Sequence, residues 1–337
     1  MQKRGRIVDM TRIGSNPAKK KKTAYRPAEV TVATVTFIPS LEGYFSHRLE
    51  TLKLTLDSAR AHTDRPINTL VFDNGCCTEV REYLQEELSR GRIDYLIHSR
   101  RNLGVIGAFK ILFQAAPSEI VAYSDDDVFY YPGWLPAHLE ILKAFPDVGM
   151  VSGAPVGTYT TEANTSIKDF LARAQDGVQT SEVPRVLAWE EDWAKSTGRD
   201  VEEHLEWAAE NSNFLLEYQK VQAIGFAKHF QFLTTKSVMN EALPSAWSGE
   251  LMHGLLKLDR AVDQGGYLRL STPKRYSRHI GNRVSPKMAR EAKGFSLAAA
   301  EAPASRKQRH WLLKIPGAGR LLNKVYDWLF DVLNDIK

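Results

Sequence analysis

Two hydrophobic periods succeed one another along the first half of the chain. EVTVATVTF (29–37) is a β-branched run suited to a buried strand, and Pro39-Ser40 closes it. YFSHRLETLKLTLDSARAH (44–62) then sets Leu49, Leu52, Leu56 and Ala59 at helical spacing. INTLVFDNG (67–75) predicts a strand, 78–90 a charged helix and IDYLIH (93–98) a short strand. NLGVIGAFKILFQAA (102–116) predicts a Gly-rich turn running into a helix, and 119–123 a further strand. Such β-α alternation predicts an α/β fold with a mostly parallel sheet and helices on both faces, whose ligands bind at the carboxyl ends of the strands. Three polar clusters fall at such ends: Asp73-Asn74-Gly75, Arg101-Asn102-Leu103-Gly104 and Asp125-Asp126-Asp127.

The second half is less regular. The pattern predicts a helix over 134–145, a strand and turn over 148–155, polar helical structure over 160–218 and a strand pair within 218–236. A helix over 249–264 leads to GGYLRLSTP (265–273) and RYSRHIGNR (275–283). Residues 284–304 read as a loose linker. Residues 305–337 read as an amphipathic C-terminal helix with an apolar stripe of Leu321, Leu322, Val325, Trp328, Leu329, Val332 and Leu333.

The 337 residues are 43% hydrophobic and 25% charged, the balance of an ordinary globular protein, and no run approaches the ~20 apolar residues of a spanning helix. The N-terminus has no apolar segment of secretory length, and the vicinal Cys76 and Cys77 read as free thiols, so a cytoplasmic location is expected. The net charge of +5 is unevenly spread. Residues 1–29 hold nine Lys/Arg against two acids, and 305–337 hold seven against three, which leaves the body with a net of −6. Residues 1–28 read as a disordered basic arm. Positive charge confined to the ends argues against a nucleic-acid partner, and the basic ends suit the anionic inner face of a membrane. The C-terminal helix has two readings: packing on the body, or lying on that surface.

The sharpest chemical signal is YSDDDVFYYPGWL (123–135), an apolar strand ending in three carboxylates. Three adjacent negative charges repel, and burying them unpaired is costly. A hard cation such as Mn²⁺ or Mg²⁺, which takes one or two carboxylates plus phosphate oxygens, resolves this. Strand alternation would turn Asp125 and Asp127 to one pocket. A solvated acidic turn is the plain alternative.

The first strand VTVATVTFIPS, FDNG (72–75), RRNLGVIGAFK (100–110) and YSDDDVFYYPGWL together resemble the family 2 glycosyltransferases. The resemblance implies a GT-A, Rossmann-like fold over 29–283, with a nucleotide-sugar half (29–156) and an acceptor half (157–283). It implies that Asp73 bonds the base, and that Asn102 and Gly104 line the nucleoside pocket beside Pro39, Asn74 and Asp126. It further implies that Asp125 faces the ribose and shares the metal with Asp127, and that His279 of RHIGN adds a metal or phosphate contact. Lys274, Arg275 and Arg278 could clamp the diphosphate. The implied activity is inverting transfer of a sugar from a nucleotide-diphosphate donor, UDP by family habit, to a glycan or lipid-linked acceptor. The general base it needs is open between Glu250, Asp259 and Asp263. Competing functions are a sugar-phosphate nucleotidyltransferase and an inactive transferase fold that binds membrane surfaces.

Overall fold

A ten-stranded mixed sheet forms the frame of the computed structural model, which describes residues 16–20, 25–157, 164–174, 177–246 and 254–295. The first strands are β1 (Val30–Thr36), β2 (Asn68–Asp73), β3 (Tyr95–His98) and β4 (Ile120–Asp125), all parallel in the order β3-β2-β1-β4. Helices α1 (Arg48–Ala61), α2 (Thr78–Ser89) and α3 (Gly104–Ala115) connect them. The chain leaves β1 toward β2 on one side and returns to β4 on the other. The carboxyl end of β1 is therefore a topological switch point, the usual place for a ligand crevice. Register brings Thr36 beside Asp73 and Val35 beside Asp125 at that end.

After β4 come β5 (Val128–Tyr130), α4 (Trp134–Ala144), β6 (Val148–Ser152), α5 (Thr165–Ala174), β7 (Val178–Pro184), α6 (Leu187–Ser196), α7 (Val201–Glu210), β8 (Ser212–Tyr218), β9 (Val221–Ile224) and β10 (Gln231–Thr235). The described chain ends with α8 (Lys236–Ala242), α9 (Leu255–Gln264), β11 (Leu268–Ser271), β12 (Ser277–His279) and α10 (Pro286–Gly294). The sheet continues from β4 as β10-β6-β11-β9-β8-β7. β10 is antiparallel to both β4 and β6, and β11 is parallel to β6. Seven of these ten strands point the same way. β5 and β12 make a separate two-stranded ribbon that carries His279 opposite Val128.

Apolar residues fill both faces of the sheet. Phe109, Phe113, Tyr123, Phe232 and Val262 pack α3 and α9 on one side, while Trp134, Leu135, Leu139, Val32 and Leu233 pack α4 on the other.

Three expectations need correction. The segment 218–236 holds two strands, but they do not pair with each other: β9 joins β8 and β11, and β10 joins β4 and β6. The region 160–218 contains β7 and β8 as well as helices. The segment 284–304 is not a linker throughout. Ser285 caps α10 by accepting from the Met288 amide at 3.1 Å, and Met288, Ala289 and Ala292 bury against Leu54, Phe129, Ile280 and Val284. The folded body thus extends past residue 283. The expected basic arm falls largely, and the C-terminal amphipathic helix wholly, outside the described residues. No described helix is long and apolar enough to cross a membrane.

Candidate active site

The loops after β2 and β3 are stapled together by amide side chains. Asn74 accepts from the Leu103 amide at 2.8 Å and donates to the Asn102 side-chain oxygen at 3.0 Å, while that oxygen also accepts from the Gly104 amide at 2.9 Å. Gly75 lets the loops close: at φ +98° a Cβ there would lie 3.0 Å from the Arg101 carbonyl carbon. Asn74, Asn102 and Gly104 are thus brought together, in a hydrogen-bonded frame that ties the two loops.

Asp73 departs from its expected role. It is fully buried, and its carboxylate accepts from the Gly75 amide at 3.0 Å, the Cys76 amide at 2.7 Å and His98 Nδ1 at 2.8 Å. Such a carboxylate folds its own turn and has no face for a base. The group it orients outward is His98, whose side chain is 39% exposed. Pro39 is exposed, directly after the buried Ile38, whose carbonyl accepts from the Cys77 amide at 2.8 Å.

The acidic triplet is at the switch point, but strand alternation stops at Asp125. Asp126 and Asp127 form a tight turn between β4 and β5, so neighbours that a strand would send to opposite faces both reach Arg48, the first residue of α1. The Arg48 guanidinium pairs with Asp126 through one nitrogen and with Asp127 at 2.5 Å through the other. Asp126 also accepts from the Thr36 hydroxyl at 2.6 Å, so each of its oxygens already has one partner within the protein. Asp125, half-buried, accepts from the Tyr123 hydroxyl at 2.5 Å, and its amide donates to the Phe230 carbonyl at 2.8 Å. Burial, then the charge of Asp127, push its carboxyl up to about 8. His279 and Arg48 hold Asp127 below the usual carboxylate value in spite of its burial.

Of the three expected metal ligands, Asp127 and His279 are the two whose side chains approach each other. His279 Nε2 is 3.4 Å from Asp127 Oδ2, while Asp127 Oδ1 and His279 Nδ1 are buried without a hydrogen-bond partner. Buried polar atoms without a protein partner are open to a water or an ion. Among the described residues no cluster of three or more His, Cys, Asp and Glu side chains could hold a metal alone. An ion here would complete its shell with phosphate oxygens and water, as Mg²⁺ and Mn²⁺ do. The His279 ring is walled by Trp193 and Phe230, which stack with centroids 5.3 Å apart.

Arg275 and Arg278 do not form a free clamp. Arg275 bonds Asp192 at 2.9 Å, and Arg278 bonds Asp192 at 3.0 Å and Glu291 at 2.7 Å. Lys274 is exposed. Of the three base candidates, Glu250 lies outside the described residues. Asp263 is structural: it accepts from the Thr165 amide and the Ser166 amide, each at 3.0 Å, and from the Ser166 hydroxyl at 2.7 Å, capping α5 from outside. Asp259 is buried against Arg269 at 2.8 Å and His229 at 3.2 Å. Asp259 and Asp263 share a face of α9, yet serve different partners. Arg48, His98 and His229 were missed. Each alone reads as an ordinary surface charge or ring, because its partner, Asp126, Asp73 or Asp259, lies 78, 25 or 30 residues away in the chain.

Comparison with known proteins gives one family match. Residues 44–194 match the family described as Glycosyl transferase family 2. No curated protein matches the chain. Among solved structures, residues 1–349 of S. aureus TarS align at 13% identity and a TM-score of 0.41, over 81% of this chain and 66% of that one. The mannosyltransferase PcManGT from Pyrobaculum calidifontis, in complex with GDP-Man and Mn²⁺, aligns at 15% identity and a TM-score of 0.41 over 74% of this chain and 56% of that one. GalNAc-T7 with UDP, GalNAc and Mn²⁺ aligns at 16% identity and a TM-score of 0.42 over 74% and 43%. The chain therefore spans less than two thirds of the length of each of these proteins.

Proposed function

We propose that this chain, whose residues 44–194 carry the glycosyl transferase family 2 match, moves a sugar from a nucleoside-diphosphate donor to a hydroxyl of a glycan or lipid-linked acceptor, with inversion and with the help of Mn²⁺ or Mg²⁺. The observation that carries the proposal is the partnerless buried Oδ1 of Asp127, a carboxylate whose other oxygen lies 3.4 Å from His279 Nε2, at the switch point of the sheet. A divalent ion held by Asp127 and His279 would stabilise the negative charge that grows on the departing diphosphate.

The chain's own groups divide the remaining work. Asn74 and Asn102 hold the two loops that wall the nucleoside side, and His98 offers the exposed polar edge there. Asp125, at the carboxyl end of β4 and bonded by the Tyr123 hydroxyl at 2.5 Å, would face the ribose. Arg48 keeps Asp126 and Asp127 compensated before any ligand arrives.

The test is a thermal shift with UDP and Mn²⁺, each alone and together. The two together should stabilise the protein by more than the sum of the separate shifts. Asp127→Asn should lose that synergy while keeping its unfolding cooperative. Indifference of the wild type to both would overturn the proposal.

A further inference from the structure

Building on the transferase reading above, we propose that His229, oriented by Asp259, is the general base that takes the proton of the acceptor hydroxyl. His229 lies in the loop between β9 and β10. β10 runs antiparallel to β4 with Gln231 opposite Ser124, so the residues just before Gln231 lie beyond the carboxyl end of β4, the edge that carries Asp125 and Asp127. The Phe230 carbonyl fixes this loop to the edge through the Asp125 amide at 2.8 Å. Residues 229 and 230 then engage different neighbours. The Phe230 ring joins Trp193 and His279 on the ion side, whereas His229 meets Asp259 of α9. α9 begins against α3: a Cβ on Gly254 would lie 2.7 Å from Ile106 Cγ1, so the start of α9 borders the start of the helix that follows the Asn102 loop.

The pair has the build of a base and its orienter. His229 Nδ1 lies 3.2 Å from Asp259 Oδ2. With Asp259 as acceptor, Nδ1 carries the proton and Nε2 is left as the basic nitrogen. The His229 side chain is 41% exposed, while those of Asp259 and Arg269 are each 4% exposed. Arg269 holds Asp259 at 2.8 Å and donates to the Ala227 carbonyl at 3.0 Å, so the carboxylate is pinned to the loop that carries the histidine. An imidazole open to solvent on one side and backed by a fixed, buried carboxylate can accept a proton and have the resulting charge compensated. In the step, the acceptor O–H proton passes to His229 Nε2 as the oxygen bonds to the anomeric carbon. The bond from that carbon to the diphosphate oxygen breaks, and its electron pair leaves with the nucleoside diphosphate.

The experiment uses the full chain with UDP and Mn²⁺ as binding probes, and hydrolysis of a panel of UDP- and GDP-hexoses with water as acceptor. His229→Gln should bind UDP as the wild type does, yet lose about 10²-fold or more in hydrolysis rate. His229→Gly should regain part of that rate with added imidazole. Asp259→Asn should lower the rate with donor KM unchanged, as expected of a positioning residue. A His229→Gln rate within about threefold of wild type overturns the proposal, since a general base contributes far more. So does a wild type that binds UDP but hydrolyses no donor. A wild type that binds no UDP defeats the donor-site reading first, and this inference falls with it.

Discussion

At Arg48 one guanidinium spans two consecutive carboxylates, with the three side chains 11%, 5% and 8% exposed. Removing one partner of a buried pair costs about 3–5 kcal/mol, because the other charge is left stranded. Arg48→Met should therefore lower unfolding free energy in urea by about that much. Mn²⁺ should then stabilise the variant more than the wild type, since a cation would relieve repulsion that Arg48 otherwise cancels. A variant as stable as wild type without metal would contradict the pairing. Asp125-Asp126-Asp127 could be read from the sequence because the carboxylates are contiguous and follow an apolar strand. Their counter-ion could not, because Arg48 is 78 residues from Asp126 and looks like a charge in a helix's first turn. Asp73 misled for a related reason: Asp-Asn-Gly is a turn signature as well as a ligand motif, and here the turn claims the carboxylate. Gly75→Ala should cost about 1–3 kcal/mol, from the left-handed backbone and the contact with Arg101, read as a lower urea midpoint.

Elements were readable where burial enforces a period. β1, β2 and β4 carry consecutive buried residues because a parallel strand is covered on both faces, so their apolar runs stand out. β7, VQTSEVP, has its inner five positions exposed or only half-buried at the sheet edge, and its composition resembles a loop. α10 escaped because its apolar face is narrow: Met288, Ala289 and Ala292 in an otherwise polar helix. Met288 is 1% exposed and touches the Phe129 and Leu54 cluster, so Met288→Ala should cost about 2–4 kcal/mol in equilibrium unfolding. A neutral result would return 284–294 to the status of a tether.

Across the protein, the parallel half and the site edge follow from the β-α alternation, while the return through β10 and the order of the later strands depend on pairings that no local pattern encodes. One buried group there links stability to acidity. His138, fully buried in α4, bonds the Trp134 carbonyl through Nδ1 at 2.6 Å, and Gln231 of β10 lies 3.3 Å from its Nε2. Burial lowers its pKa to about 4. The unfolded chain, with an ordinary histidine near 6.5, binds more protons between those values, so the His138 contribution is intact above about 6.5 and is lost as pH falls toward 4, by about 3 kcal/mol. His138→Gln should show a shallower loss of stability between pH 7 and 5, and the wild-type His138 ring should stay neutral by NMR at pH 5.

The contact of the Trp193 indole with the His279 ring, centroids 5.6 Å apart, has an optical consequence. A paramagnetic ion seated at His279 would lie close enough to quench that indole's emission, so titration with Mn²⁺ should dim part of the tryptophan fluorescence while diamagnetic Mg²⁺ should not. Trp193→Phe should remove the quenched fraction, which makes the wall of the pocket its own occupancy gauge.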